Sequence, residues 1–290
     1  MITIQNKNYS ACINPFGAEL KSFMNLETKE EFIWQADSAF WGKSAPVLFP
    51  ITGLLKDDKL TVEGVEYLTP KHGFAREQTF NVLSQQESAV VFELKPNAET
   101  RAVYPFEFAL QIEFKLLKHQ LEVNYSIINH DQKELLFSIG SHPAFALDLS
   151  NYNLSDYYIE FDQPETLDLF GLTDNFFAKK QTRFLNDEQV IPLSENTFND
   201  DALMFKEIRS KYITIRRKKS DWFLELDRRD VPHLGIWAKP NAPFVCIEPW
   251  MSYNDAADSD GTLENKPGIE RLAPASTFAS GYTIRVSPAK

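Results

Sequence analysis

Apolar and polar residues alternate at every second position through much of this chain, and no other feature constrains its fold as strongly. In Leu121-Glu122-Val123-Asn124-Tyr125-Ser126-Ile127 the apolar side chains fall on one side and the polar ones on the other. That is the pattern of a strand with one buried face. Asn129 to Lys133 then reads as a turn, and Leu135 to Gly140 as the strand that returns. Val90–Lys95, Leu110–Leu116, Tyr212–Arg216, Trp222–Leu226, Phe244–Ile247 and Tyr282–Val286 are further strand candidates. No segment sustains an i, i+3, i+4, i+7 apolar stripe over several capped turns, so long helices are not expected. The 23 phenylalanines suit a pleated, half-buried surface. The 16 prolines fall mostly between strand candidates. The expectation is an all-β fold, a large antiparallel β-sandwich.

No fixed-period repeat and no Pro/Gly/Ser-rich linker divides the sequence, so residues 1–290 read as a single domain. The stretch from Ser150 to Asn199 reads as strand-poor, a lid or an elaborated crossover within that domain.

The formal net charge of −11 sets an acidic surface against nucleic-acid phosphates and anionic membranes, which argues against both as partners. The dense basic run Arg216-Arg217-Lys218-Lys219 lies between apolar stretches and reads as a solvated hairpin turn. Cys12 and Cys246 are far apart, in apolar surroundings and without a CxxC, which reads as two buried, reduced thiols and no zinc cluster or redox pair. Met1-Ile2-Thr3-Ile4-Gln5-Asn6 lacks the basic, apolar, small pattern of a signal peptide. No apolar run approaches the ~18 residues of a membrane span. A cytoplasmic protein is expected.

P-loop, GxGxxG, HExxH and GxSxG motifs are absent, which removes the main support for phosphate-cradling, dinucleotide, zincin and hydrolase-elbow readings. Three polar clusters stand out within apolar sequence: Pro70-Lys71-His72-Gly73-Phe74-Ala75-Arg76, Gly140-Ser141-His142-Pro143-Ala144-Phe145 and Val245-Cys246-Ile247-Glu248-Pro249-Trp250. A single histidine beside an apolar strand is more often structural than catalytic, and a glutamate at a strand end is more often a solvated edge residue. Here Glu248 follows four apolar residues and precedes Pro-Trp, and His142 ends a strand pattern before a proline. One carboxylate and two imidazoles among aromatics form a plausible acid/base set. The faces of Trp237 or Trp250 would suit the C–H face of a sugar, although core packing accounts for either equally well.

The sequence resembles the aldose 1-epimerase (galactose mutarotase) superfamily, in particular its LacX-type branch. The resemblance runs through Asn14-Pro15-Phe16-Gly17-Ala18-Glu19-Leu20 and Trp41-Gly42-Lys43-Ser44-Ala45-Pro46-Val47-Leu48-Phe49-Pro50. It continues through His72-Gly73-Phe74-Ala75-Arg76 and Ser141-His142-Pro143-Ala144-Phe145 to Pro243-Phe244-Val245-Cys246-Ile247-Glu248-Pro249-Trp250. Five segments in the expected order cover nearly the whole chain. The resemblance implies a galactose mutarotase-like supersandwich with a sugar cleft on one sheet face. It implies Glu248 as general base, His142 as general acid, and His72 as a residue that binds the sugar near its ring oxygen. Arg76 matches a family arginine near the site, and Asp201 looks like the acidic residue that holds sugar hydroxyls. Many relatives carry an arginine shortly before Pro-x-x-Phe-Pro. Here Lys43 takes that place, a point charge where a planar fork would stand.

Mutarotation takes a proton from the anomeric hydroxyl and gives one to the ring oxygen. A histidine serving as acid must hold its proton, so a nearby carboxylate is expected to raise its pKa. The expected partner is a monosaccharide, a hexose or a hexose phosphate, and neither a metal nor an organic cofactor is required. The rival readings are a hexose 6-phosphate 1-epimerase, which needs convergent Arg or Lys side chains, and a non-catalytic sugar sensor. A glycoside hydrolase ranks low, because Glu248 has no equally convincing carboxylate partner.

Overall fold

The computed structural model describes residues 1–173 and 176–287. Among these, the largest sheet has nine strands. From one edge to the other they are Phe176–Pro192, Tyr157–Thr173, Tyr212–Arg217, Phe223–Asp227, Thr277–Val286, Gln120–Asn129, Phe108–Leu117, Ala89–Leu94 and Asn81–Gln85. Every pairing in it is antiparallel. Alternation is the reason: along Gln120–Asn129 buried and half-buried residues follow one another without a break, as a period-two strand with one covered face requires.

A second sheet holds the strands that matter for the site. Its order is Leu203–Phe205, His233–Trp237, Phe244–Trp250, Gly140–Ser141 and Val47–Leu48, with Ala144–Ala146 also pairing with Phe244–Trp250. All seven residues of Phe244–Trp250 are buried. A strand covered on both faces shows a continuous apolar run in place of alternation, and that is how Phe244-Val245-Cys246-Ile247 reads. Val123, Phe114 and Ile284 of the larger sheet and Ile236, Phe244 and Ile247 of the smaller one share one contiguous buried cluster. Each fully buried side chain of this kind contributes about 1.5–3 kcal/mol, so the inner rows hold the two sheets face to face. Ile4, Ile13 and Phe23, from the three-stranded sheet Ile2–Gln5, Tyr9–Asn14 and Glu19–Asn25, join the same cluster. The all-β antiparallel expectation holds. The longest helix among the described residues is Ala98–Val103, capped reciprocally by Asn97 and Thr100.

The stretch from Ser150 to Asn199 is not strand-poor. Tyr157–Thr173 and Phe176–Pro192 form a long antiparallel ribbon, interrupted by register shifts between Glu160 and Glu165 and again further out. Bulges move side chains from one face to the other, and Pro164 falls inside the run, so the sequence pattern loses its period. Inward side chains remain at Leu167 and Leu185, which face each other and are buried.

Two smaller expectations also change. Leu135–Phe137 does not return along Gln120–Asn129 but pairs with Glu270–Leu272. All three residues are buried, and a short apolar run carries no sign of which distant partner it takes. Arg216 and Arg217 belong to a strand, and the turn is made by Lys218 and Lys219. Cys246 is buried as expected, whereas Cys12 is only half-buried.

Candidate active site

Glu248 sits near the end of the fully buried strand Phe244–Trp250 and is 2% exposed. Gly235 lies opposite it on His233–Trp237. A Cβ added to Gly235 would stand 3.1 Å from Met204 Sδ and 3.3 Å from Glu248 Cβ, so the missing side chain gives the carboxylate its room.

His142 lies between the strands Gly140–Ser141 and Ala144–Ala146. Its backbone N–H donates to the Pro46 carbonyl at 3.1 Å, and the next carbonyl, of Pro143, accepts from Ile247 N–H at 3.2 Å. These bonds hold the ring against the strand that carries Glu248. Its Nε2 is 3.1 Å from Glu248 Oε2. The imidazole stacks on Trp41 with centroids 4.6 Å apart and meets the edge of Trp237 at 5.9 Å.

His72 reaches the same place from a tight turn. It and Gly73 have φ of 66° and 69°. A Cβ on Gly73 would come within 2.2 Å of the Phe49 carbonyl oxygen, so only glycine allows this approach. The His72 N–H donates to the Gly53 carbonyl at 2.9 Å, and Gly53 N–H donates back to His72 Nδ1 at 3.1 Å. Nδ1 is therefore the acceptor, and the ring proton sits on Nε2. The ring lies edge-on to Trp250 at 5.2 Å and to His142 at 6.1 Å.

These three side chains open on a cleft of about 290 Å³ that Arg76, Asp201 and Trp237 also line. This volume lies near the lower end of the ~300–1,000 Å³ typical of small-molecule sites. The structure thus brings together six of the seven residues singled out in the sequence. Lys43 is the exception. Its ammonium pairs with Glu77 at 2.7 Å and it is not among the lining residues. Sequence reasoning missed Lys71, Trp41, Met204, Ala202 and Asn254 as cleft residues. Lys71 was legible as the neighbour of His72, and Trp41 opens a segment that carries the family resemblance. Asn254 has no local signal.

Burial governs the protonation of the site. It raises the Glu248 carboxyl well above the usual glutamate range, with Lys71 and the Trp250 indole opposing and Asp201 reinforcing. It lowers the His142 imidazole to about 3, helped by the charges of Arg76 and Lys71. His72 is lowered well below its usual value, first by burial and then by His142, Lys71 and Arg76. The sequence reading expected a nearby carboxylate to raise the His142 pKa, and Glu248 is that neighbour. Desolvation outweighs that attraction, because a buried ion pair loses the hydration of both charges. Both shifts favour a neutral carboxyl beside a neutral imidazole over a buried ion pair. As for metal binding, donor atoms of His142, Cys246 and Glu248 all lie within 4.8 Å of one another.

Solved structures share this architecture. A galactose mutarotase related enzyme from Lactobacillus acidophilus is 36% identical, with a TM-score of 0.94 over 99% of this chain and 97% of that one. A galactose mutarotase-like protein from Lactobacillus casei is 29% identical, with a TM-score of 0.88 over 99% of this chain and 100% of that one. The plasmid-borne protein LacX of Lactococcus lactis subsp. lactis is 29% identical over 98% of this chain and 99% of its own length. The family model described as Aldose 1-epimerase matches residues 1–271, and the chain belongs to the aldose 1-epimerase family.

Proposed function

We propose that the protein is a mutarotase that interconverts the α and β anomers of a hexose by acid/base ring opening and reclosure. The observation that carries this reading is the 3.1 Å contact between His142 Nε2 and Glu248 Oε2 in the floor of a cleft of monosaccharide scale. A pyranose presents its anomeric hydroxyl and ring oxygen side by side, and the paired carboxyl and imidazole match that spacing.

In the reactive form the shared proton is on His142 and Glu248 is a carboxylate. Glu248 takes the anomeric O–H proton while His142 delivers its proton to the ring oxygen. The bond between anomeric carbon and ring oxygen breaks, and the anomeric C–O becomes a carbonyl. The pair is left as neutral carboxyl and neutral imidazole, the form that burial favours. Rotation about the bond next to the aldehyde exposes its other face, and reclosure returns both protons. His72 Nε2–H serves as a donor near the ring oxygen, held by the Gly53 N–H on its far side. The half-buried Trp237 and buried Trp250 supply apolar walls for the sugar C–H face, and Asp201 accepts from hydroxyls.

Lys71 and Arg76 favour a second reading, a hexose 6-phosphate, because two cations lining one cleft suit a phosphate. Polarimetry on freshly dissolved α-glucose, α-galactose and their 6-phosphates separates the two. Faster mutarotation of a free hexose, lost on Glu248→Gln by about 10²–10⁴-fold, is the expected result. Acceleration of the phosphates alone would transfer the assignment to the second reading, and no acceleration of any sugar would end both.

A further inference from the structure

We propose that His142, Cys246 and Glu248 form a binding site for a borderline-soft divalent cation of the Zn²⁺ class, and that occupancy of this site arrests proton transfer in the cleft. Cys246 and Glu248 are two residues apart on Phe244–Trp250, so the pleat turns both side chains to the same face. His142 approaches that face from the neighbouring segment, and one donor atom from each of the three lies within 4.8 Å of the others. Nδ1 of His142 is buried and has no hydrogen-bond partner on another residue. Nε2 faces only the Glu248 carboxylate, itself one of the three donors, so the imidazole can turn a lone pair to an ion. A sulfur, a nitrogen and a carboxylate oxygen select zinc over magnesium or calcium, which need sets made wholly of oxygen. Three protein donors leave a fourth position for solvent, and two of the three, His142 and Glu248, line the cleft.

Charge balance favours the site. Bound as a thiolate, a carboxylate and a neutral imidazole, the three ligands carry two negative charges that balance one dication, so the occupied site has no net charge. Because the ligands bind in their deprotonated forms, affinity rises with pH. The bound ion occupies the two groups that exchange protons with the sugar, and inhibition is reversible. The inhibition rests on the mutarotase reading, whereas the binding does not.

The test uses the full-length protein, with Co²⁺ as a spectroscopic probe and Zn²⁺ as competitor. The expected result is a near-ultraviolet thiolate-to-cobalt band that saturates at one equivalent, is abolished by Zn²⁺, persists in Cys12→Ser and is absent in Cys246→Ala and Cys246→Ser. In polarimetry, Zn²⁺ slows the wild type, a chelator restores it, and Mg²⁺ and Ca²⁺ have no effect. Cys246→Ala keeps the metal-free rate. Losing even an outer-shell partner costs about 10–100-fold in metal affinity, so this variant needs at least that much more Zn²⁺ for half-inhibition. A missing thiolate band overturns the proposal, as does equal Zn²⁺ sensitivity in Cys246→Ala. The cobalt titration gives its answer even if no sugar proves to be a substrate.

Discussion

Nε2 of His142 lies 3.1 Å from Oε2 of Glu248, with both side chains almost withdrawn from water. Two groups that share one proton act as a unit, and units do not give additive mutational effects. Glu248→Gln and His142→Asn should each lower kcat by about 10²–10⁴-fold. The double variant should be no slower than the worse single one. Stopped-flow polarimetry on all three checks this. Fully multiplicative losses would mean that the two residues work independently and that the shared proton is wrong.

His72 should be a neutral Nε2–H tautomer across the working pH range, because Gly53 N–H occupies Nδ1 and burial resists the cation. The ¹⁵N chemical shifts of the imidazole report this directly. A protonated Nδ1 at neutral pH would remove His72 as the proposed donor to the ring oxygen.

The size of the site depends on the side chain that Gly235 lacks. Gly235→Ala puts a methyl group 3.1 Å from Met204 Sδ and 3.3 Å from Glu248 Cβ. Overpacking of this kind costs typically about 1–3 kcal/mol. Met204 is flexible and lines the cleft, so part of the stability should return with Met204→Ala, while the displaced carboxylate keeps kcat low. Thermal melts and rates on the single and double variants separate the two effects. Wild-type rates in Gly235→Ala would show that Glu248 tolerates displacement.

Strands such as Gln120–Asn129 were legible in the sequence because one face is covered and the other is wet. Tyr157–Thr173 and Phe176–Pro192 were not, because bulges break their period. His72, His142 and Glu248 were legible as residue types in apolar settings, and the ordered resemblance gave them roles. Their convergence was not, since it depends on the two left-handed residues His72 and Gly73 and on contacts between segments more than a hundred residues apart. Burial also reversed the pKa direction that the residue types suggested for His142.

Lys43 was expected at the cleft and pairs instead with Glu77 at 2.7 Å. A partly exposed pair of this kind is worth about 0–1 kcal/mol. Lys43→Ala should leave kcat and KM unchanged and shift Tm only slightly. Arg76→Ala should raise KM, because Arg76 lines the cleft. Measuring KM for both variants against one sugar decides which cation meets substrate, and a KM rise in Lys43→Ala would restore the sequence expectation.

Acid should destabilise the fold through its buried histidines. His233 is lowered to about 4, by burial and then by Lys206 and Arg228, and its Nδ1 accepts from Glu207 N–H at 3.2 Å. His142 is lowered to about 3, and His72 is also lowered well below its usual value. In the unfolded chain each binds a proton near pH 6.5. Below that pH the unfolded state holds more protons than the folded one, so stability present above about 6.5 is lost as pH falls through 4 and then 3. Glu248 runs the other way. Its raised pKa means a contribution that is full below about 4.5 and is lost as pH rises. Between about pH 4.5 and 6.5 the three histidines are opposed by Glu248 and by Glu31 and Glu270, whose carboxyls burial also raises, so the histidine contribution is read by comparing variants across that range. His233→Asn should lose less Tm on acidification than the wild type, since it removes one of the three groups that take up a proton on unfolding. The same change in Tm from pH 6.5 to 4.5 in wild type and His233→Asn would show that the His233 imidazole is not held neutral.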